Sequence, residues 1–171
     1  MEGIVNKVQQ SGLIQLDMAA FKPNIERIGI DLAPQLWQGL VLKEKDFRLW
    51  IKSHDWSMYR GKAVYVYCSA DAIVPTWAFV LVGSSLQGIA ETAVIGTEAD
   101  LEKELIRIAI DCFDVTPFSK GKIIIKGCSD IPFPAFSMDR LVQRLQPEVS
   151  SIMYGEPCST VPIYKAPKTV K

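Results

Sequence analysis

Apolar residues along this chain fall into two kinds of run, and the alternation between them predicts the fold. Ala63–Tyr67 (AVYVY), Thr92–Ile95 and Ile123–Ile125 are short and rich in β-branched or aromatic residues. They read as strands with little polar alternation, as in a sheet covered on both faces. Val149–Tyr154 reads as a last strand. Between these runs the apolar spacing becomes helical. Trp77–Leu86 is apolar nearly all round and is expected to be buried on more than one side. Leu101, Leu105, Ile108 and Cys112 line one face after a capping-box-like Thr97–Asp100 start, and Pro117 closes that segment. Met138, Leu141, Val142 and Leu145 line the face of a third helix, ended by Pro147.

Strands alternating with helices at these spacings imply parallel strands joined by right-handed crossovers. The expected fold class is α/β: a three-layer sandwich with a mainly parallel sheet of at least four strands. The N-terminal third is expected to add edge strands or a covering helix. There, Leu13, Ile14 and Leu16 suggest one strand and Ile28–Leu32 another. Pro34 is placed to start a short helix through Trp37 and Gln38, stopped by Gly39. Leu40–Leu42 suits a strand fragment or the lead into the next helix, and Phe47, Trp50, Ile51 and His54 then follow a helical spacing.

From Gly61 onward the chain repeats itself. Gly61, Lys62, Cys68 and Ser69 return as Gly121, Lys122, Cys128 and Ser129, 60 residues later. With Ala70 taken as an extra residue, Asp71, Pro75, Leu86 and Gln87 match Asp130, Pro134, Leu145 and Gln146. Each copy reads as strand, Cys-Ser, a turn with Asp and Pro, then helix.

This repeat directs attention to the cysteines. Cys68 and Cys128 each follow a strand, and Cys158 follows the strand ending at Tyr154. If those strands are parallel in one sheet, the thiols share its carboxyl edge, where open α/β folds bind ligands. Cys68, Cys128 and Cys158 are therefore the candidate metal ligands. Sulfur donors suit zinc or an iron–sulfur cluster, with Asp71, Asp130 or Glu156 available as a further donor. Two alternatives stand beside this: one thiol acting as nucleophile in an enzyme or sulfur carrier, or a structural or partner-binding module with inert core cysteines.

Cys112 is expected in the core. Asp71 and Asp130 are expected as helix N-caps rather than acid–base groups. His54, the single histidine, precedes the strand at 63–67 and is expected as a cap or core contact, away from the cysteine edge. No G-x-S-x-G, G-x-G-x-x-G, P-loop or C-x-x-C motif names a reaction.

Nineteen basic and nineteen acidic residues leave no positive surplus for nucleic acid. The longest apolar run is too short to span a membrane, and the opening MEGIVNKVQQSG lacks the apolar core of a secretory signal. A soluble, cytoplasmic protein with reduced cysteines is expected, folded as a single domain over 1–165 with a disordered basic tail at 166–171. The apolar helix around Trp77 is an alternative face for a homodimer.

Several stretches carry a family resemblance: CSADAIVPTWAF at Cys68–Phe79, KGCSDIPFP at Lys126–Pro134, MYGEPCSTVPIYK at Met153–Lys165 and LVLKEKDFRLWIKSHDW at Leu40–Trp56. Over nearly the whole chain the sequence resembles the bacterial domain-of-unknown-function family 2480. The resemblance implies no reaction. It implies an association with iron–sulfur assembly components, as partners.

Overall fold

The computed structural model describes residues 12–127, 129–156 and 159–167. They divide into two compact units, one spanning Asn24–Leu105 and the other built from the residues up to Pro23 and from Ile106 onward. The fold is α/β.

In the 24–105 unit the strands β2 (Arg27–Asp31), β5 (Ala63–Tyr67) and β6 (Thr92–Ile95) form a parallel sheet in the order β2-β5-β6. Residues of a strand alternate between its two faces. Val64 and Val66, with Ile30, face a core that also holds Phe47 of α1 (Glu44–Ser53) and Ala78, Val82 and Leu86 of α2 (Thr76–Leu86). Ala63, with Tyr65 and Val94 beside it, faces the other way, onto Leu101 and Leu105 of α3 (Glu98–Asp111). Helix, sheet and helix thus make three layers within this unit, which is why β5 shows no polar alternation.

Gly29 pairs with Tyr65, and the ring lies across it: a Cβ at Gly29 would sit 2.7 Å from the ring. At the edge of this sheet the Arg27 guanidinium grips both carboxylate oxygens of Glu102, with both side chains largely buried. Replacing Glu102 with alanine removes the carboxylate partner of that guanidinium, which also donates to the Ile25 carbonyl. Equilibrium denaturation should show a loss of about 2 kcal/mol.

The other unit contains β1 (Leu13–Leu16), β7 (Lys122–Ile125), α4 (Pro134–Leu145), β8 (Ser151–Glu156) and β9 (Ser159–Lys165). Its four-stranded sheet has the order β1-β7-β8-β9, parallel except for the antiparallel β9. Leu16, Ile123, Ile125 and Ile152 share a core with Leu141 and Leu145 of α4 and with Ile106 and Ile110 of α3. Burying each such side chain contributes roughly 1.5–3 kcal/mol.

Four local expectations are corrected. Pro34 opens only a 3-10 turn, Ala33–Gln35, after which β3 (Leu36–Trp37) and β4 (Val41–Leu42) form a hairpin. Gln38 and Gly39 both take positive φ at the centre of the connecting turn, which Leu40 N–H closes by donating to the Trp37 carbonyl at 3.2 Å. Helix α2 buries one face, not several: Ala78, Val82 and Leu86 point inward while Val80 is 55% exposed and Trp77 37%. Cys112 is exposed, because the buried stripe of α3 runs through Leu101, Leu105, Ile106 and Ile110, and Cys112 follows the last turn on another side. Finally, the strand at Val149–Tyr154 is not the last, because Ser159–Lys165 forms another. Pro162 masks its periodicity, and an edge strand tolerates a residue without an N–H.

The repeat has a structural counterpart with a shifted frame. The face packed against α2 carries Val64, and the face packed against α4 carries Ile123, which are 59 residues apart. At that offset of 59 the sequence counterpart of Cys68 is Gly127. One residue of shift along a strand exchanges its two faces, so the offset that aligns the two Cys-Ser pairs is not the one that aligns the strands.

Candidate functional site

An aspartate stands at the end of β2 in one sheet and directly after β1 in the other. Asp31 ends β2, and its Oδ1 accepts from the N–H groups of Ala33 and Ser69, each at 2.9 Å. The Ser69 hydroxyl donates to Oδ2 at 2.5 Å. In the other sheet Asp17 follows β1. Its Oδ1 accepts from Ala19 N–H at 2.9 Å, and Lys126 Nζ lies 3.2 Å from Oδ2. Ser129 accepts from Met18 N–H at 3.3 Å. Asp31 thus holds the serine after a cysteine directly, whereas beside Asp17 the Ser129 hydroxyl donates to the Lys126 carbonyl at 3.2 Å. These aspartates escaped the sequence reading. The signal was present in LIQLDM and RIGIDL, where a strand ends in Asp before an apolar residue.

The electrostatics follow from these contacts. Burial works against the Asp31 charge, but the Ser69 hydroxyl and the N–H groups of Ala33 and Ser69 outweigh it and hold the carboxyl below its ordinary value. Asp17 is held low by the Ala19 N–H, then the Ser129 hydroxyl and Lys126. A carboxyl lowered on folding adds stability above the unfolded value near 3.8 and loses it as pH falls through the folded value. Ser69→Ala should raise the Asp31 titration midpoint in carboxyl NMR and start acid unfolding at a higher pH.

Asp71 and Asp130 are not N-caps. Helix α2 is preceded by Pro75 and α4 by Phe133, while Asp130 pairs with Lys22 at 2.6 Å. Phe133 takes a left-handed conformation (φ 51°), which is costly for a bulky residue, and Ser137 Oγ donates to the carbonyls of Pro132 and Phe133 at 3.0 Å. His54 caps the end of α1, and its Nε2 lies 2.9 Å from the Tyr59 hydroxyl. Trp50 and Trp56 pack against its ring, so it has the structural role expected of it.

Of the three candidate cysteines, Cys68 is described, and Cys128 and Cys158 lie outside the described residues. Cys68 is half-buried, packs on the core under α2 and directs its thiol to the Ala70 carbonyl at 3.7 Å. The strands ahead of the cysteines belong to two sheets rather than one: β5 to the three-stranded sheet, β7 and β8 to the four-stranded one. Within the latter, β7 and β8 are parallel neighbours, and a Cβ at Gly127 would lie 3.5 Å from Gly155 Cα. Tyr154 donates its hydroxyl to the Gly127 carbonyl at 3.0 Å. Beside it Pro134, Ala135, Met138, Tyr154 and Ile163 line an apolar pocket of about 350 Å³.

A family model described as "Protein of unknown function (DUF2480)" matches residues 2–166. The chain belongs to that family. No curated protein and no solved structure matches it. For a member of the DUF2480 family, the described residues include no group of three His, Cys, Asp or Glu side chains able to hold a metal ion. They also include no helix long and apolar enough to cross a membrane.

Proposed function

We propose that this protein is a thiol-dependent binding protein working at the carboxyl end of its four-stranded sheet. Its donors are Cys128 and Cys158, and its ligand is a soft cation: zinc, or the iron of an iron–sulfur species. The supporting observation is the close approach of Gly127 to Gly155, on the chain segments that lead into the two cysteines. Glycine at both positions keeps side chains out of that space.

The carboxylates alone do not fit a metal. Asp17 is engaged by Lys126 and Asp130 by Lys22, while Glu156, at the end of β8, is the acid nearest in sequence to Cys158. Thiolates bind soft cations where oxygens bind hard ones. Zinc held there would brace the adjoining loops, whereas an iron–sulfur species would be cargo, consistent with an accessory role in cluster assembly.

Anaerobically purified protein should carry close to one equivalent of metal by elemental analysis, with visible absorption if the species is iron–sulfur. Cys128→Ser and Cys158→Ser should each abolish it. Cys68→Ser separates a two-thiol site, which keeps the metal, from a three-thiol site, which loses it. Metal content unchanged in both Cys128→Ser and Cys158→Ser removes the proposal.

A further inference from the structure

The two sheets differ at one edge. In the four-stranded sheet the outer side of β8 is taken by β9, running antiparallel, with Ile152 opposite Tyr164 and Tyr154 opposite Val161. The counterpart of β8 in the other unit is β6. Ala93 stands where Ile152 stands, opposite Val64 and Ile123 respectively. Gly96 and Gly155 follow at matching places, both with positive φ. Yet β6 ends its sheet, and among the described residues no fourth strand lies on its outer side.

What lies there is a groove of about 300 Å³ between β6 and the last turns of α2. Val66, Ala93 and Ile95 line it from the sheet, and Gly83, Leu86 and Gln87 line it from the helix. Ala93 is exposed and Ile95 is 52% exposed, although both sit on the face that α2 covers farther in. Gly83 costs helix α2 about 1 kcal/mol relative to alanine. A Cβ there would touch nothing, so packing within the unit does not require the glycine. Its effect is to keep the groove wall low.

Charge decides what can fill this edge. Glu91 stands at one end of β6 and Glu98 just beyond the other, both exposed, and neither carboxylate has an ion-pair partner among the described residues. Pairing β6 with the β6 of a second copy, antiparallel, would bring Glu91 toward Glu98 of the other copy. Like charges across a strand pair are destabilising. A segment with basic residues at its ends meets opposite charge instead.

We propose that the outer edge of β6 is a strand-addition site for an extended basic segment of a partner protein. The segment runs antiparallel to β6, as β9 runs to β8. It places apolar side chains opposite Ala93 and Ile95, and a lysine or arginine opposite Glu91. Main-chain hydrogen bonds give such a contact its affinity, and alternate side chains give it selectivity.

The test uses the full chain and a synthetic probe, acetyl-Lys-Val-Thr-Ile-Thr-Lys-amide, with a control in which both lysines are glutamate. Amide shifts in NMR should be confined to Glu91–Gly96 and Gly83–Gln87, with slowed hydrogen exchange along β6. Glu91→Lys, an exposed change that leaves the fold intact by circular dichroism, should weaken binding about five-fold or more. Three results overturn the proposal: no shifts along β6 at millimolar probe, equal binding of the acidic control, or β6 amides already protected in a dimer of the chain alone.

Discussion

Replacing Gly155 with alanine is expected to lower stability by about 3 kcal/mol and to open the β8–β9 hairpin. Gly155 has φ of +124°, a region that side chains other than glycine rarely enter. A Cβ there would run into the Ser159 carbonyl oxygen, with Thr160 Cα only 3.4 Å away. Both obstacles are backbone, so neither can turn aside as a flexible side chain would. Hydrogen exchange should show early loss of protection across Ser159–Lys165, and denaturation should show the free-energy loss. A variant within about 0.5 kcal/mol of the natural protein would mean that this hairpin is not held as described. The same variant bears on the proposed thiol site, because Gly155 leads into the segment that carries Cys158. Metal retention should fall with the hairpin.

Leu141→Ala is expected to cost about 3 kcal/mol. Leu141 is fully buried beneath the four-stranded sheet, in the cluster with Ile123, Ile125 and Ile152. The measurement also addresses the number of folding units. All four tryptophans, Trp37, Trp50, Trp56 and Trp77, lie in the 24–105 unit, so their fluorescence reads that unit alone while far-ultraviolet circular dichroism reads both. The single domain expected over 1–165 demands that both signals move together when Leu141 is truncated. Separate transitions, with fluorescence unmoved, would make each compact unit fold by itself.

Much of the fold was legible because its elements are local. AVYVY at 63–67 and the Thr97–Asp100 start of α3 announce themselves through neighbouring residues. Thr97 and Asp100 do form the reciprocal cap, with Asp100 N–H donating to Thr97 Oγ1 at 3.3 Å and Thr97 N–H to Asp100 Oδ2 at 2.8 Å. The site was less legible. Asp17 and Ser129 are separated by over a hundred residues, and their joint role depends on β1 and β7 lying side by side. No periodicity within either segment can state that.

Taken alone, the residues determined an α/β fold with parallel strands, a repeated strand–Cys-Ser–helix unit and a cysteine after each of three strands. Those are properties of short stretches, set by propensity and by which positions are apolar. Only the tertiary structure decided that the parallel strands divide between two sheets and that the repeat is out of phase by one residue. It alone added β9 to one edge and, among the described residues, no strand to the matching edge of β6. Pairing partners and register are chosen by which faces can be buried together, and that choice is made between segments far apart in the chain.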